Sequence, residues 1–155
     1  MRLLLSAKGR ALQVSVSQAK PREYRFLSYF ILGLFPLSGM TPEKVRSLMR
    51  LGQVFWVAKR EREFIGFLHF IQRPKSIFIK GIGVRPDFEG MGLGTALLAA
   101  CEEHALQSGF TKLLLVASAE DQRTVSFYGK NGFSVVKTRT GKTGAVYTLA
   151  KDIEN

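Results

Sequence analysis

Residues Val84 to Thr95 read Val-Arg-Pro-Asp-Phe-Glu-Gly-Met-Gly-Leu-Gly-Thr, with glycine at alternate positions Gly90, Gly92 and Gly94. A β-rich run, Ser76–Val84, leads into this stretch, and a helix-forming run, Ala96–Leu106, leads out. Glycines at a strand-to-helix turn permit positive φ and let backbone approach a ligand closely. The first N–H groups of a helix have no acceptor inside it and carry the positive end of the helix dipole. The combination predicts an anion seat, most naturally for a pyrophosphate.

Two familiar loops are tested by spacing. A Walker A loop ends in Gly-Lys-Ser/Thr; Gly94-Thr95 lacks the lysine, so an ATPase reading fails. A dinucleotide fold uses Gly-x-Gly-x-x-Gly at the first strand of a repeated βαβ array, whereas the spacing here is Gly-x-Gly-x-Gly behind a run of strands in series. Glu120 falls where a ribose-binding acid would stand, which keeps the dinucleotide reading open.

The elements that must hold this loop follow from periodicity. Residues 11–18 alternate as a half-buried strand does. Pro21–Phe35 reads as a helix rich in aromatics, either buried or at an interface. Thr41-Pro42-Glu43 starts a second helix, with Thr41 as cap and Pro42 at its first position, and Gly52 ends it. Val54–Ala58 and Phe64–Gln72 form a hairpin, followed by the strand Ser76–Val84. After the glycine loop and its helix, Lys112–Ala117 is a short buried strand. A helix capped by Asp121 follows and stops at Asn131-Gly132. Phe133–Thr138 and Ala145–Ala150 form a last hairpin. The expected fold class is α/β of the α+β type: a mixed, largely antiparallel sheet flanked by helices, with one parallel crossover through the glycine loop. A chain of 155 residues with 46% hydrophobic content is expected to be a single domain, residues 1–155, with a real core.

Composition limits the setting. Cys101 is the one cysteine, which excludes an internal disulfide framework and a cysteine-rich zinc site; no metal is expected, and a reducing cytoplasm is the fitting compartment. Met1–Leu5 faintly imitates a signal peptide, but the apolar run stops at Ser6 and Lys8 follows. Phe26–Leu37 is apolar over 12 residues, short of the roughly 20 that a membrane helix needs, so no membrane partner is expected. The net charge of +11 favours anionic partners. Nucleic acid stays open on charge alone, since the basic residues are scattered and no recognition motif is present.

Residues 54–136 resemble the GNAT acyltransferase superfamily. The stretch Ile82-Gly83-Val84-Arg85-Pro86-Asp87-Phe88-Glu89-Gly90-Met91-Gly92-Leu93-Gly94-Thr95-Ala96-Leu97-Leu98 looks like that family's CoA pyrophosphate motif. Phe127-Tyr128-Gly129-Lys130-Asn131-Gly132-Phe133 looks like its Phe-Tyr-x-x-x-Gly-Phe signature. Both in order, one helix and one strand apart, make the match. The resemblance implies a splayed sheet that binds acetyl-CoA and an N-acetyltransferase acting on a primary amine by direct transfer. It implies that the backbone of Ile82, Gly83 and Val84 lies along the pantetheine. It implies that residues 89–95 (Glu89, Gly90, Met91, Gly92, Leu93, Gly94, Thr95) cradle the pyrophosphate, with the Thr95 hydroxyl as an extra donor. Asp121 stands where the family often has Asn beside pantetheine. Glu89 stands where Arg or Gln is usual, and Met91 where a basic residue is frequent.

Direct transfer needs a neutral amine, a polarised thioester carbonyl and a proton for the leaving thiolate. By the same resemblance, Tyr128 is the acid and the Val84 N–H the oxyanion donor; core packing is the plain alternative for Tyr128. The strand 76–84 carries no carboxylate to act as base. His69 and Glu120 are the candidates, set against ordinary packing for the first and a solvated strand end for the second. The acceptor is expected from the side of the first two helices: a small molecule, or a protein or peptide amine, with acidic character suited to a basic chain. The aromatics of 24–35 would line that acceptor pocket, pack in the core or make a homodimer contact. Two other functions are held beside this one: a non-catalytic acyl-CoA-binding regulator and an RNA-associated acetyltransferase.

Overall fold

The computed structural model describes residues 1–7 and 9–154; Lys8, which follows the N-terminal apolar run in the sequence, lies outside the described residues. The strands are β1 (Arg2–Ala7), β2 (Arg10–Gln18), β3 (Val54–Arg60), β4 (Glu63–Gln72), β5 (Ser76–Val84), β6 (Lys112–Ser118), β7 (Ser134–Gly141) and β8 (Gly144–Asp152). The α-helices are α1 (Tyr24–Leu34), α2 (Pro42–Arg50), α3 (Leu93–Gln107) and α4 (Gln122–Lys130). The sheet has eight strands in the order β1-β2-β3-β4-β5-β6-β8-β7. The β5–β6 pair is parallel, Ser76–Phe78 against Lys112–Leu114, while β1–β2, β2–β3, β3–β4, β6–β8 and β7–β8 are antiparallel. This is the mixed, mostly antiparallel α/β class expected from the periodicity. Among the described residues no helix is long and apolar enough to cross a membrane.

The chain divides into two compact units, Met1–Ile71 with Gly81–Cys101, and Gln72–Lys80 with Glu102–Asn155. In the first unit α1 buries Leu27, Ser28 and Ile31 on one stripe. These pack with Val45 and Leu48 of α2 and with Phe55, Val57 and Phe67 of the sheet. The aromatics of α1 divide: Phe26 and Tyr29 are 70% and 62% exposed, while Tyr24 and Phe30 are half-buried against the core. The expected cap holds, since the Thr41 hydroxyl accepts the Lys44 N–H at 3.3 Å. Strand β4 is buried without alternation from Ile65 to Phe70, as an interior strand with both faces covered must be.

Strand β1 is a finding that periodicity missed. Leu3, Leu4 and Leu5 are consecutive, so no alternation marks them. The strand exists because it pairs with β2, Leu3 opposite Val14 and Leu5 opposite Leu12, with Leu4 left 74% exposed. In the second unit β6 alternates, with Leu113, Leu115 and Ala117 inward. Strand β7 lies at the sheet edge and is exposed along its whole length.

Candidate active site

The glycine loop belongs to the first unit. The Arg85 N–H donates to the Ile65 carbonyl at 2.9 Å, so β5 presents that residue's backbone to β4. Alternation along a strand then turns the N–H and C=O groups of Ile82 and Val84 the opposite way. A short 3-10 turn, Pro86–Phe88, buries Phe88 and brings the chain to the glycines. Gly90 and Gly92 take φ of 78° and 84°, which other residues adopt at a cost. Nothing lies within 4 Å of where a Cβ would stand on either, so the requirement is conformational and the backbone there is open to approach. Gly94 differs, since it lies inside α3. The helix starts at Leu93, three residues before the run Ala96–Leu106, because the Gly92 carbonyl accepts the Ala96 N–H at 3.0 Å. The N–H groups of Leu93, Gly94 and Thr95 therefore have no acceptor within the helix. Buried Leu93 and Leu97 fix that end in place, and exposed Glu89 precedes it.

A clamp below the loop was not read from the sequence. Arg85 donates to both oxygens of Asp87, at 2.7 and 2.8 Å, and to Glu63 at 2.5 Å. The guanidinium also lies 4.7 Å from the centroid of Phe88. Its only sequence signal was opposite charge two residues apart around Pro86. Hydrogen bonds from Arg85 hold both carboxyls below the ordinary range, and the two carboxylates raise Arg85 in turn. Groups lowered on folding stabilise the fold above their unfolded pKa, and that contribution fades as pH falls through the folded value. Arg85→Gln is expected to raise the Asp87 and Glu63 midpoints toward the ordinary carboxylate range, Glu63 less completely because Arg60 still donates to it, followed by NMR of the carboxyl carbons. Unmoved midpoints would exclude the guanidinium as the cause.

On the side of Gly83 where a Cβ would stand, side chains fill the space. A Cβ there would stand 2.8 Å from ring carbons of Phe35 and Phe67 and 3.0 Å from Leu34. The end of α1 thus packs directly on the β5 backbone. Gly83→Val is expected to destabilise the fold by about 1–3 kcal/mol, read from the denaturation midpoint. An unchanged midpoint would mean that α1 is not seated on this strand.

Tyr128 and Asp121 belong to the second unit. Tyr128 is 3% exposed, and its ring meets Phe127 and Phe133 edge to face with centroids 5.2 and 5.3 Å away. Its carbonyl accepts the N–H groups of Asn131 and Phe133, both at 3.0 Å. Gly132, at φ 93°, makes the reversal that returns Phe133 to the tyrosine. The spacing Phe-Tyr-x-x-x-Gly-Phe is therefore a helix end that clamps one tyrosine between two phenylalanines. Asp121 is the cap of α4: its Oδ1 accepts the Thr124 N–H at 3.1 Å, and hydrogen bonds from the Thr124 side chain and backbone hold its carboxyl below the ordinary range.

The two candidate bases differ. His69 is 6% exposed, stacks on Phe55 with centroids 4.1 Å apart and shares a 2.7 Å hydrogen bond between Nε2 and Gln53 Oε1; these contacts give it a packing role. Glu120 is exposed in a turn. Cys101 is buried. Among the described residues no cluster of His, Cys, Asp and Glu forms a metal site.

The model of the acetyltransferase (GNAT) family matches residues 24–133. This chain belongs to that family. Curated relatives include a mycothiol acetyltransferase from Streptomyces bingchenggensis, 32% identical over 88 residues, which are 54% of this chain and 28% of the relative. Another, from Propionibacterium freudenreichii, is 43% identical over 60 residues, 39% of this chain and 19% of the relative. The chain thus matches less than a third of the length of these relatives. Solved structures with the same fold include the ribosomal-protein-S18-alanine N-acetyltransferase of Escherichia coli (TM-score 0.79, 16% identity, 92% of this chain and 95% of that one). A GNAT-family acetyltransferase of Elizabethkingia anophelis with acetyl-CoA bound has a TM-score of 0.70 at 17% identity over 90% of this chain and 98% of that one. Both cover a larger share of this chain than residues 24–133 do, so the fold likeness reaches beyond the family match.

Proposed function

We propose that the chain acts as one domain that moves an acetyl group from acetyl-CoA to a primary amine by direct transfer. The observation that carries this reading is the loop 89–95, where two left-handed glycines deliver the chain into a helix whose first N–H groups lack intrahelical acceptors. A pyrophosphate suits that seat by charge and by hydrogen bonding. Glu89 repels it unless its carboxylate turns to solvent, and its exposure leaves room for that. The backbone of Ile82, Gly83 and Val84 serves the pantetheine, and Asp121 at the cap of α4 lies beside the same group.

The neutral amine attacks the thioester carbonyl, forming the C–N bond. The Val84 N–H stabilises the oxyanion, the C–S bond breaks, and Tyr128 donates its phenolic proton to the thiolate. The ammonium proton leaves to solvent through water, and the tyrosinate takes a proton back from water. The products are an acetamide and free CoA. The acceptor class is a small or peptide amine in the cytoplasm, where Cys101 remains a buried thiol.

Release of CoA thiol across a panel of amines, peptides included, tests the reading. Amine-dependent release identifies the acceptor class. Acetyl-CoA binding with no release over the whole panel would favour the non-catalytic regulator, a reading kept in view by Glu89 and by the packing role of His69.

A further inference from the structure

We propose that the cleft beside the N-terminal half of α1 binds a small amphipathic carboxylate: a phenyl or alkyl body carrying one negative charge. The cleft lies within the first unit and has a volume of about 790 Å³, within the range of small-molecule sites. Its apolar wall is Phe26, Phe30 and Phe64. The Phe30 and Phe64 rings meet edge to face with centroids 6.1 Å apart. Phe26 stays 70% exposed beside buried Leu27, so an apolar ligand would cover a ring that the fold leaves in water.

The charged wall selects the sign. Glu23 is held by Lys59, and Glu63 by Arg60 and Arg85, so these acids are neutralised from within. Arg22 and Arg62 also line the cleft and form no ion pair among the described residues. The one opposing carboxylate outside those pairs is Glu61, exposed at the hairpin turn with φ 57°. The unspent charge is therefore two guanidinium groups against one acid. A guanidinium fork matches a carboxylate bidentately, whereas an ammonium would face both arginines. Apolar area and unpaired cations thus converge on one ligand chemistry.

The test is amide NMR titration of the protein alone with 3-phenylpropionate, 3-phenylpropanamide and 3-phenylpropylamine, which share one body and differ in head group. The carboxylate is expected to bind at least about tenfold more tightly than either other compound, one such ion-pair contribution in a binding constant. Shifts should centre on Phe26, Phe30 and Phe64. Joint Arg22→Gln and Arg62→Gln should erase the preference, and Phe26→Ala should weaken all three compounds alike. Equal binding of amide or amine, shifts centred elsewhere, or a preference that survives loss of both arginines would overturn the proposal. These positions are exposed, and a thermal melt confirms that each variant folds; if the double variant does not, Arg62→Gln and the head-group comparison on the unaltered protein decide. No acetyl-CoA enters the titration, so a failure here leaves the acetyl-transfer reading standing, and the reverse also holds.

Discussion

Replacing Tyr128 by phenylalanine is expected to lower acetyl transfer about 10²-fold, the lower end of what a positioned general acid contributes. The Kd for acetyl-CoA should change by less than about threefold, because the ring and its packing remain. Tyr128 is 3% exposed between Phe127 and Phe133, so removing one hydroxyl leaves the shape of this helix end intact. The effect should fall on kcat, as it does when an interaction made only in the transition state is lost. The loss should be smallest for acyl donors whose thiol leaving group is more acidic, since they need the proton least. A rate unchanged by the substitution would remove Tyr128 from the chemistry and leave it a packing residue.

Gly92→Val is expected to weaken acetyl-CoA binding by at least about tenfold and to lower global stability by the backbone strain it brings. Gly92 sits at φ 84°, where a β-branched residue is strained by roughly 1–3 kcal/mol. The Gly92 carbonyl also starts α3 by accepting the Ala96 N–H. A shift there moves the N–H groups of Leu93, Gly94 and Thr95 together. Gly94→Ala is the contrast: Gly94 is inside the helix without positive φ, so its backbone tolerates alanine. Calorimetric Kd values for the two variants decide the matter. Equal losses would mean that side-chain volume at the loop matters and its left-handed geometry does not.

Much of this was legible in local chemistry. Thr41 and Asp121 cap their helices as their types and positions suggested, and Asn131-Gly132 ends α4 because a turn of that hand needs glycine. The two hairpins, the crossover and the helix after the glycines followed from periodicity. What escaped was set by partners distant in sequence. Strand β1 has no alternation of its own and is defined by β2. The burial of Gly83 under Phe35 and Phe67 joins residues far apart in the chain, and the Arg85 clamp requires Glu63 from another strand. Two motifs were legible as a resemblance; the geometry sorts the loop glycines by conformation, two at positive φ and one within the helix.

The most direct test of the central claim is a calorimetric titration of the purified chain with acetyl-CoA, alongside CoA, NADH and ATP. Saturable binding of acetyl-CoA and CoA, with none of NADH or ATP, is the predicted result, and Gly92→Val should weaken it. Binding of NADH in place of acetyl-CoA, or binding of neither, would contradict the assignment of loop 89–95 as a seat for the CoA pyrophosphate.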